Sequence, residues 1–391
     1  MPGLFDLVSA LLQRARAPQR EPARGTRSYR CRCGRPVFFR NSACTRCGAA
    51  LGFDPDSQRL LPLEPGPAAG EWRIDPAAGV AADTPVRRCA NLDTPAGCNW
   101  LIPVAPPGRA TPLLCRACRL SRTIPDLSVP ENADLWRRIE VARRRLVSQL
   151  IALGLPVASK VPAAAEDPER GLMFDVLRAP PGGVPVLTGH AGGLITLNLE
   201  EADDAVREHV RAQMHEPYRT LLGHFRHEVG HYYWDRLVAG TPWLDDFRAL
   251  FGDERADYAA ALQRHYANGA PADWAQRHVS SYASTHPWED WAETWAHYLH
   301  MVDTLDTALS FGLDADDLEL EFDRFGSDAL WRPDDPGAGQ FVGFVNAWVE
   351  LTSVLNELSR SMGQHDYYPF VLPRPAIGKL QFVHLVVQGA K

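Results

Sequence analysis

Beyond about residue 130 the apolar positions recur at helical spacing; before it they do not. Leu135, Ile139, Leu146, Leu150 and Leu153 form one stripe after Asn132 or Asp134, either of which can cap. A helix is therefore predicted to about Leu153, with Glu140, Arg143, Arg144 and Arg145 facing water, placed to join or buttress two domains. Apolar runs at Leu172–Leu177 and Leu194–Leu199 predict strands of a small sheet. Further helices are expected at about 203–214, at 217–238 with Pro217 in the first turn, and at 253–267, 287–303 and 340–361. Ahead of these, an Arg- and Pro-rich lead runs to about residue 28, within which Gly3–Leu12 suits a short, frayed helix. The Pro-, Gly- and Ala-rich stretch from Pro62 to Ala82 reads as loop. The fold class is α+β: a mostly helical domain with a small sheet at 131–391, preceded by a small module at 28–130.

With 391 residues the chain exceeds one ordinary core, which agrees with two domains. No apolar run reaches the 18 or so residues of a membrane span, and the opening residues lack a basic leader and cleavage site. A cytoplasmic, membrane-free protein is expected. The net charge of -7 hides an asymmetry, because residues 1–130 hold 18 Arg, no Lys and 10 acidic residues, or +8, leaving -15 for the rest. Basic charge of this kind suits nucleic acid or an acidic partner.

The cysteines change that picture. All eight lie between Cys31 and Cys118. Cys31, Cys33, Cys44 and Cys47 form two tight knuckles, each followed by glycine, around a hairpin-length segment with Val37, Phe38 and Phe39. Cys89, Cys98, Cys115 and Cys118 form a looser quartet whose last pair alone has knuckle spacing. Two structural zinc sites are expected; spacing alone leaves interleaved pairing of the two quartets open, and sequential pairing, which closes the shorter loops, is the simpler arrangement. Without a secretory leader disulfides are disfavoured. Each tetrathiolate site carries about -2, which brings the module to about +4 and makes nucleic acid an unlikely partner.

The strongest chemistry lies in His227-Glu228-Val229-Gly230-His231 on the helix after the second strand. Residues i and i+4 share a helix face, so both imidazoles can serve one metal, with Glu228 beside them as general base. The preceding strand offers an edge to an extended peptide. A catalytic zinc needs a third ligand from elsewhere. Glu289 is the candidate, opening a stripe of Glu289, Glu293 and His297 on which Glu293 can orient a ligand imidazole. Glu254, 23 residues after His231, is a rival. His224, one turn before His227, is either a ligand or a polar neighbour. Tyr282 is the candidate oxyanion donor. Tyr367, Tyr368 and His384 are expected to pack rather than to close the cleft.

His-Glu-x-x-His, then Tyr282, then Glu289-x-x-x-Glu293 resembles the gluzincin arrangement of lethal-factor-type toxin proteases. Residues of about 28–387 resemble more closely a bacterial family that joins a two-site zinc ribbon to a zinc-binding metallopeptidase domain, in Cys31–Cys47, Cys98-Asn99-Trp100, Gly223–Trp234, Pro287–His297 and Lys379–His384. The resemblance implies a zincin-like domain and hydrolysis of peptide bonds, with one catalytic and two structural zinc ions and a protein or peptide substrate. The ribbon would recruit substrate or a protein partner. The competing expectation is a non-catalytic adaptor that binds protein or nucleic acid through the ribbon, with a degenerate zincin domain. An intact Glu228 opposes it.

Overall fold

The computed structural model describes residues 27–76, 84–180, 182–214, 216–313 and 320–390. The predicted helix at Gly3–Leu12 lies outside them. The cysteine module opens with a two-stranded ribbon, β1 (Tyr29–Arg30) against β2 (Pro36–Val37). An antiparallel meander follows: β3 (Leu51–Asp54), β4 (Arg59–Pro65), β5 (Glu71–Ile74), β6 (Val86–Arg88) and β7 (Leu101–Pro103). The Pro62–Ala82 stretch is thus not all loop. Leu61 and Leu63 of β4 are buried with Ile74 of β5 in a small apolar cluster, which outweighs the turn-forming composition.

A second sheet has the order β10 (Gly189–Ala191), β11 (Leu194–Asn198), β9 (Met173–Leu177), β8 (Ser121–Thr123). β10 pairs antiparallel with β11, and β8 and β11 run parallel to β9. The outermost strand β8 comes three residues after Cys118, so the cysteine module supplies an edge of the second domain's sheet.

Eight α-helices lie among the described residues: α1 (Pro130–Ala152), α2 (Asp204–Gln213), α3 (Leu221–Leu237), α4 (Trp243–Phe251), α5 (Tyr258–Asn268), α6 (Pro287–Ser310), α7 (Ala338–Ser361) and α8 (Arg374–Gly389). Pro217 is outside α3: Thr220 caps that helix, accepting from Gly223 N at 3.0 Å, and a capping hydroxyl sets the start more firmly than an upstream proline. Asp257 likewise starts α5 later than 253 by accepting from Ala260 N. α6 runs seven residues past 303, to Ser310. α4 and α8 were not foreseen.

One core runs through both parts, taking in Cys98, Trp100 and Leu120 of the module with Trp136, Ile139, Phe174, Phe225 and Trp295 beyond it. The charged face expected on α1 is a buried seam. Glu140 and Arg143 are fully enclosed and Arg144 is 4% exposed. Arg143 donates to both Glu140 oxygens, at 2.8 and 2.6 Å, and to Ala117 O at 2.5 Å, while Arg144 donates to Ala96 O at 2.8 Å. Those carbonyls flank the second cysteine quartet and need donors once buried, which is why the charges point inward.

Candidate metal centre

α3 and α6 lie against each other, and Gly230 permits it. A Cβ there would stand 3.0 Å from Ala292 Cα and 3.2 Å from the Trp295 ring, while Gly230 O accepts from Trp291 Nε1 at 2.8 Å. This approach brings Glu289 of α6 to the two histidines of α3. His227 Nε2 is 3.2 Å from His231 Nε2 and 3.0 Å from Glu289 Oε2, and His231 Nε2 is 3.5 Å from Glu289 Oε1. A tetrahedral ion with bonds of about 2.0–2.1 Å spaces its ligand atoms by about 3.3–3.4 Å. Glu289 Oε2 is buried with no hydrogen-bond partner. Two imidazoles and a carboxylate spaced this way fit one zinc ion.

Burial disfavours a charged His227, yet the adjoining carboxylates of Glu289 and Glu293 hold its pKa well above the usual histidine value. His227 Nδ1 donates to Glu293 Oε1 at 2.7 Å, and Glu293 Oε2 accepts from Ser280 Oγ at 2.6 Å. Burial would raise the Glu293 carboxyl, but the hydrogen bond and charge of His227, the charge of His297 and the Ser280 hydrogen bond together bring it down to about 2. Glu293 therefore stays ionised, and in the neutral ring that a metal requires it keeps the proton on Nδ1 and leaves Nε2 facing the metal position. Glu228, next to His227 on α3, is buried at 8% exposure. The Tyr282 ring lies 5.9 Å from that of His227, and burial, then the charge of Glu289, raises its phenol pKa, so it stays a donor. Trp288 covers His231 at 4.1 Å between ring centres.

The structure separates other candidates from this centre. Both oxygens of Glu254 are taken by Arg248, at 2.9 and 2.5 Å. His224 Nδ1 is bound to Glu201. His297 Nδ1 meets Tyr368 Oη at 2.5 Å, and burial lowers the His297 pKa to about 4. His384 is 3.0 Å from Tyr298 Oη, and Tyr367 is 49% exposed. Ser280 and Tyr258, which touch Glu293 and Glu289, were missed by sequence reasoning; no spacing rule links them to the motif.

The cysteines form two separate quartets, Cys31, Cys33, Cys44, Cys47 and Cys89, Cys98, Cys115, Cys118. Sulfur separations of 3.6 Å (Cys31–Cys47), 3.7 Å (Cys33–Cys44) and 3.7 Å (Cys98–Cys115) approach the about 3.8 Å expected of four thiolates around zinc. Backbone N–H groups of Cys47 and Arg46 draw the Cys44 thiol down to about 6, and that of Ala49 lowers Cys47. The Cys44–Cys47 knuckle thus favours thiolates, whereas burial pushes the Cys31 thiol of the first knuckle up to about 12.

Two cysteine clusters ahead of a helical domain with a His-His-Glu cluster define a zinc-binding protein of two parts. The chain belongs to the family described as "Putative zinc-binding metallo-peptidase", which matches residues 132–386, and a zinc-ribbon domain matches residues 28–129. It is 43% identical over 363 residues to uncharacterized proteins of Mycobacterium tuberculosis (strains H37Rv and CDC 1551) and Mycobacterium bovis, covering 92% of this chain and 95% of each relative. No solved structure gives a significant match. Among the described residues no helix is long and apolar enough to cross a membrane.

Proposed function

We propose that the chain is a zinc-dependent metallopeptidase of gluzincin type, with His227, His231 and Glu289 as ligands, Glu228 as general base and a zincin-like arrangement of α3 and α6. The convergence of the two imidazoles and the Glu289 carboxylate within 3.0–3.5 Å, with Glu228 on the same helix, carries this reading. A zinc ion held there supplies Lewis acidity toward water and a peptide carbonyl. Glu228 accepts the proton of the attacking water and delivers it to the leaving amine. The O–H of Tyr282 donates to the developing oxyanion. Glu293 and Ser280 keep His227 in the orientation described above. The Leu194–Leu199 strand expected to offer an edge is the interior strand β11, paired on both sides, so the edge that would align an extended peptide is β10 at the end of the sheet. Phe38 of the ribbon, 60% exposed, offers a protein partner an apolar contact.

Metal content by mass spectrometry and hydrolysis of a peptide library test the reading together. Wild type and Glu228→Gln should each hold three zinc ions, matching the three clusters, and His227→Ala/His231→Ala two. Peptide cleavage should be present only in wild type. Two zinc ions in all three proteins would refute the metal assignment, and cleavage by Glu228→Gln would refute the base.

A further inference from the structure

Tyr258, at the first turn of α5, lies outside every motif in the sequence, yet its O–H donates to Glu289 Oε1 at 2.6 Å. The other oxygen, Oε2, has no hydrogen-bond partner and lies 3.0 Å from His227 Nε2. The two oxygens of one carboxylate are thereby given different tasks. We infer that Tyr258 is a positioning residue which holds Glu289 as a one-oxygen ligand and so keeps the fourth position of the metal open. The inference rests on the assignment of His227, His231 and Glu289 as a metal site.

Coordination number is what the hydrogen bond controls. Three single-atom protein ligands leave a tetrahedral zinc one position for water or substrate. A carboxylate with both oxygens free can close on the ion with each of them and occupy that position. A phenol on Oε1, at 2.6 Å, competes for the lone pairs this needs and holds that oxygen at 3.5 Å from His231 Nε2, which leaves Oε2, 3.0 Å from His227 Nε2, as the ligand oxygen.

The phenol is held from two sides. Its ring stands edge-on to His286, at 5.2 Å between centres, and to Trp288, at 6.0 Å. His286 Nδ1 accepts from Trp288 N at 3.1 Å, capping α6, so the proton sits on Nε2, which donates to Ala256 O at 3.0 Å. One imidazole therefore ties the start of the helix that carries Glu289 to the start of the helix that carries Tyr258. The core fixes little of α5: Ala261 is its one buried residue, His265 stands edge-on to Tyr282 at 5.7 Å, and Gly252 and Gly269 flank it with φ of 106° and 75°. The register of Tyr258 on Glu289 depends on this local network rather than on the core.

The test is Tyr258→Phe in the full chain, with the cysteine sites left zinc-loaded and the third site filled with zinc or cobalt(II). Phenylalanine keeps the ring contacts, and an unchanged far-UV spectrum verifies the fold. Zinc affinity, read by competition with a chromophoric chelator, should fall about 10–100-fold. The cobalt(II) visible band should lose intensity as the ion gains a fifth ligand. Wild-type affinity with an unchanged cobalt spectrum would overturn the role of Tyr258 while leaving the metal site standing. A wild-type protein with no metal beyond its cysteine sites would overturn both.

Discussion

His227 is the residue on which the centre turns, since its ring faces Glu289 through Nε2 and Glu293 through Nδ1. Replacing Glu293 with Gln keeps the shape but lets the amide present either end to the imidazole, so the tautomer is no longer fixed. Zinc affinity should drop about 10–100-fold in a chelator competition, and an unchanged affinity would show that Glu293 does not orient the ligand. At this scale the sequence was readable wherever contact follows helical spacing: His227 with His231, and Glu289 with Glu293. It was silent on Tyr258 and Ser280, whose partners lie 31 and 13 residues away along a chain that turns between them. It misled at Glu140, Arg143 and Arg144, because charges between apolar positions normally face water, and only the buried carbonyls of a neighbouring unit reverse the preference.

Between elements, the α3–α6 contact sets the spacing of His227, His231 and Glu289. Gly230→Ala should gain up to about 1 kcal/mol of helix propensity but lose about 1–3 kcal/mol to overpacking. The loss prevails because the obstructing atom is Ala292 Cα, which cannot rotate away. A lower melting temperature and weaker zinc binding are the expected readouts, and a melting temperature equal to or above wild type would count against the close approach. A second junction is Asp303 of α6, buried at 5% exposure, which receives Arg27 at 2.5 Å, Arg145 of α1 at 2.9 Å and Arg226 of α3 at 2.8 Å. Burial would raise its carboxyl, but these guanidinium groups hold it below the ordinary aspartate value. Its contribution is therefore complete above the unfolded-state value of about 3.9 and disappears as pH falls through the lower folded value. Asp303→Asn should cost about 3–5 kcal/mol at pH 7, and the gap in melting temperature from wild type should narrow below about pH 4. A gap constant with pH would exclude the charge as its source. Among the elements, α1, β9, β11 and α6 were legible from periodicity. α8 was not, since residues from Ala376 to Val383 are buried all round and leave no polar stripe. α4 is nine residues between turns, β3, β5, β6 and β7 have three or four residues each, too few for alternation to register, and β4, with seven, buries four in a row and so does not alternate.

For the whole molecule, the boundary near residue 130 is a change of composition more than a physical break. Removing the second quartet with Cys115→Ser/Cys118→Ser should collapse the entire chain rather than loosen an appendage, because Ala117 O anchors Arg143 and β8 is paired into the second sheet. Thermal unfolding followed by circular dichroism should show loss of the helical transition. A variant that kept this transition would establish two independently stable units. Such joining was not legible beforehand, since neither a buried guanidinium nor a shared strand leaves a mark in composition or spacing.

The seam along α1 also constrains how such a protein can be inherited. Exchange of the ribbon for another small domain would leave Arg143 and Arg144 enclosed without carbonyls to receive them, and β9 without β8 on one side. Recombination at the boundary would be disfavoured from the first generation, and the two parts should pass down lineages together.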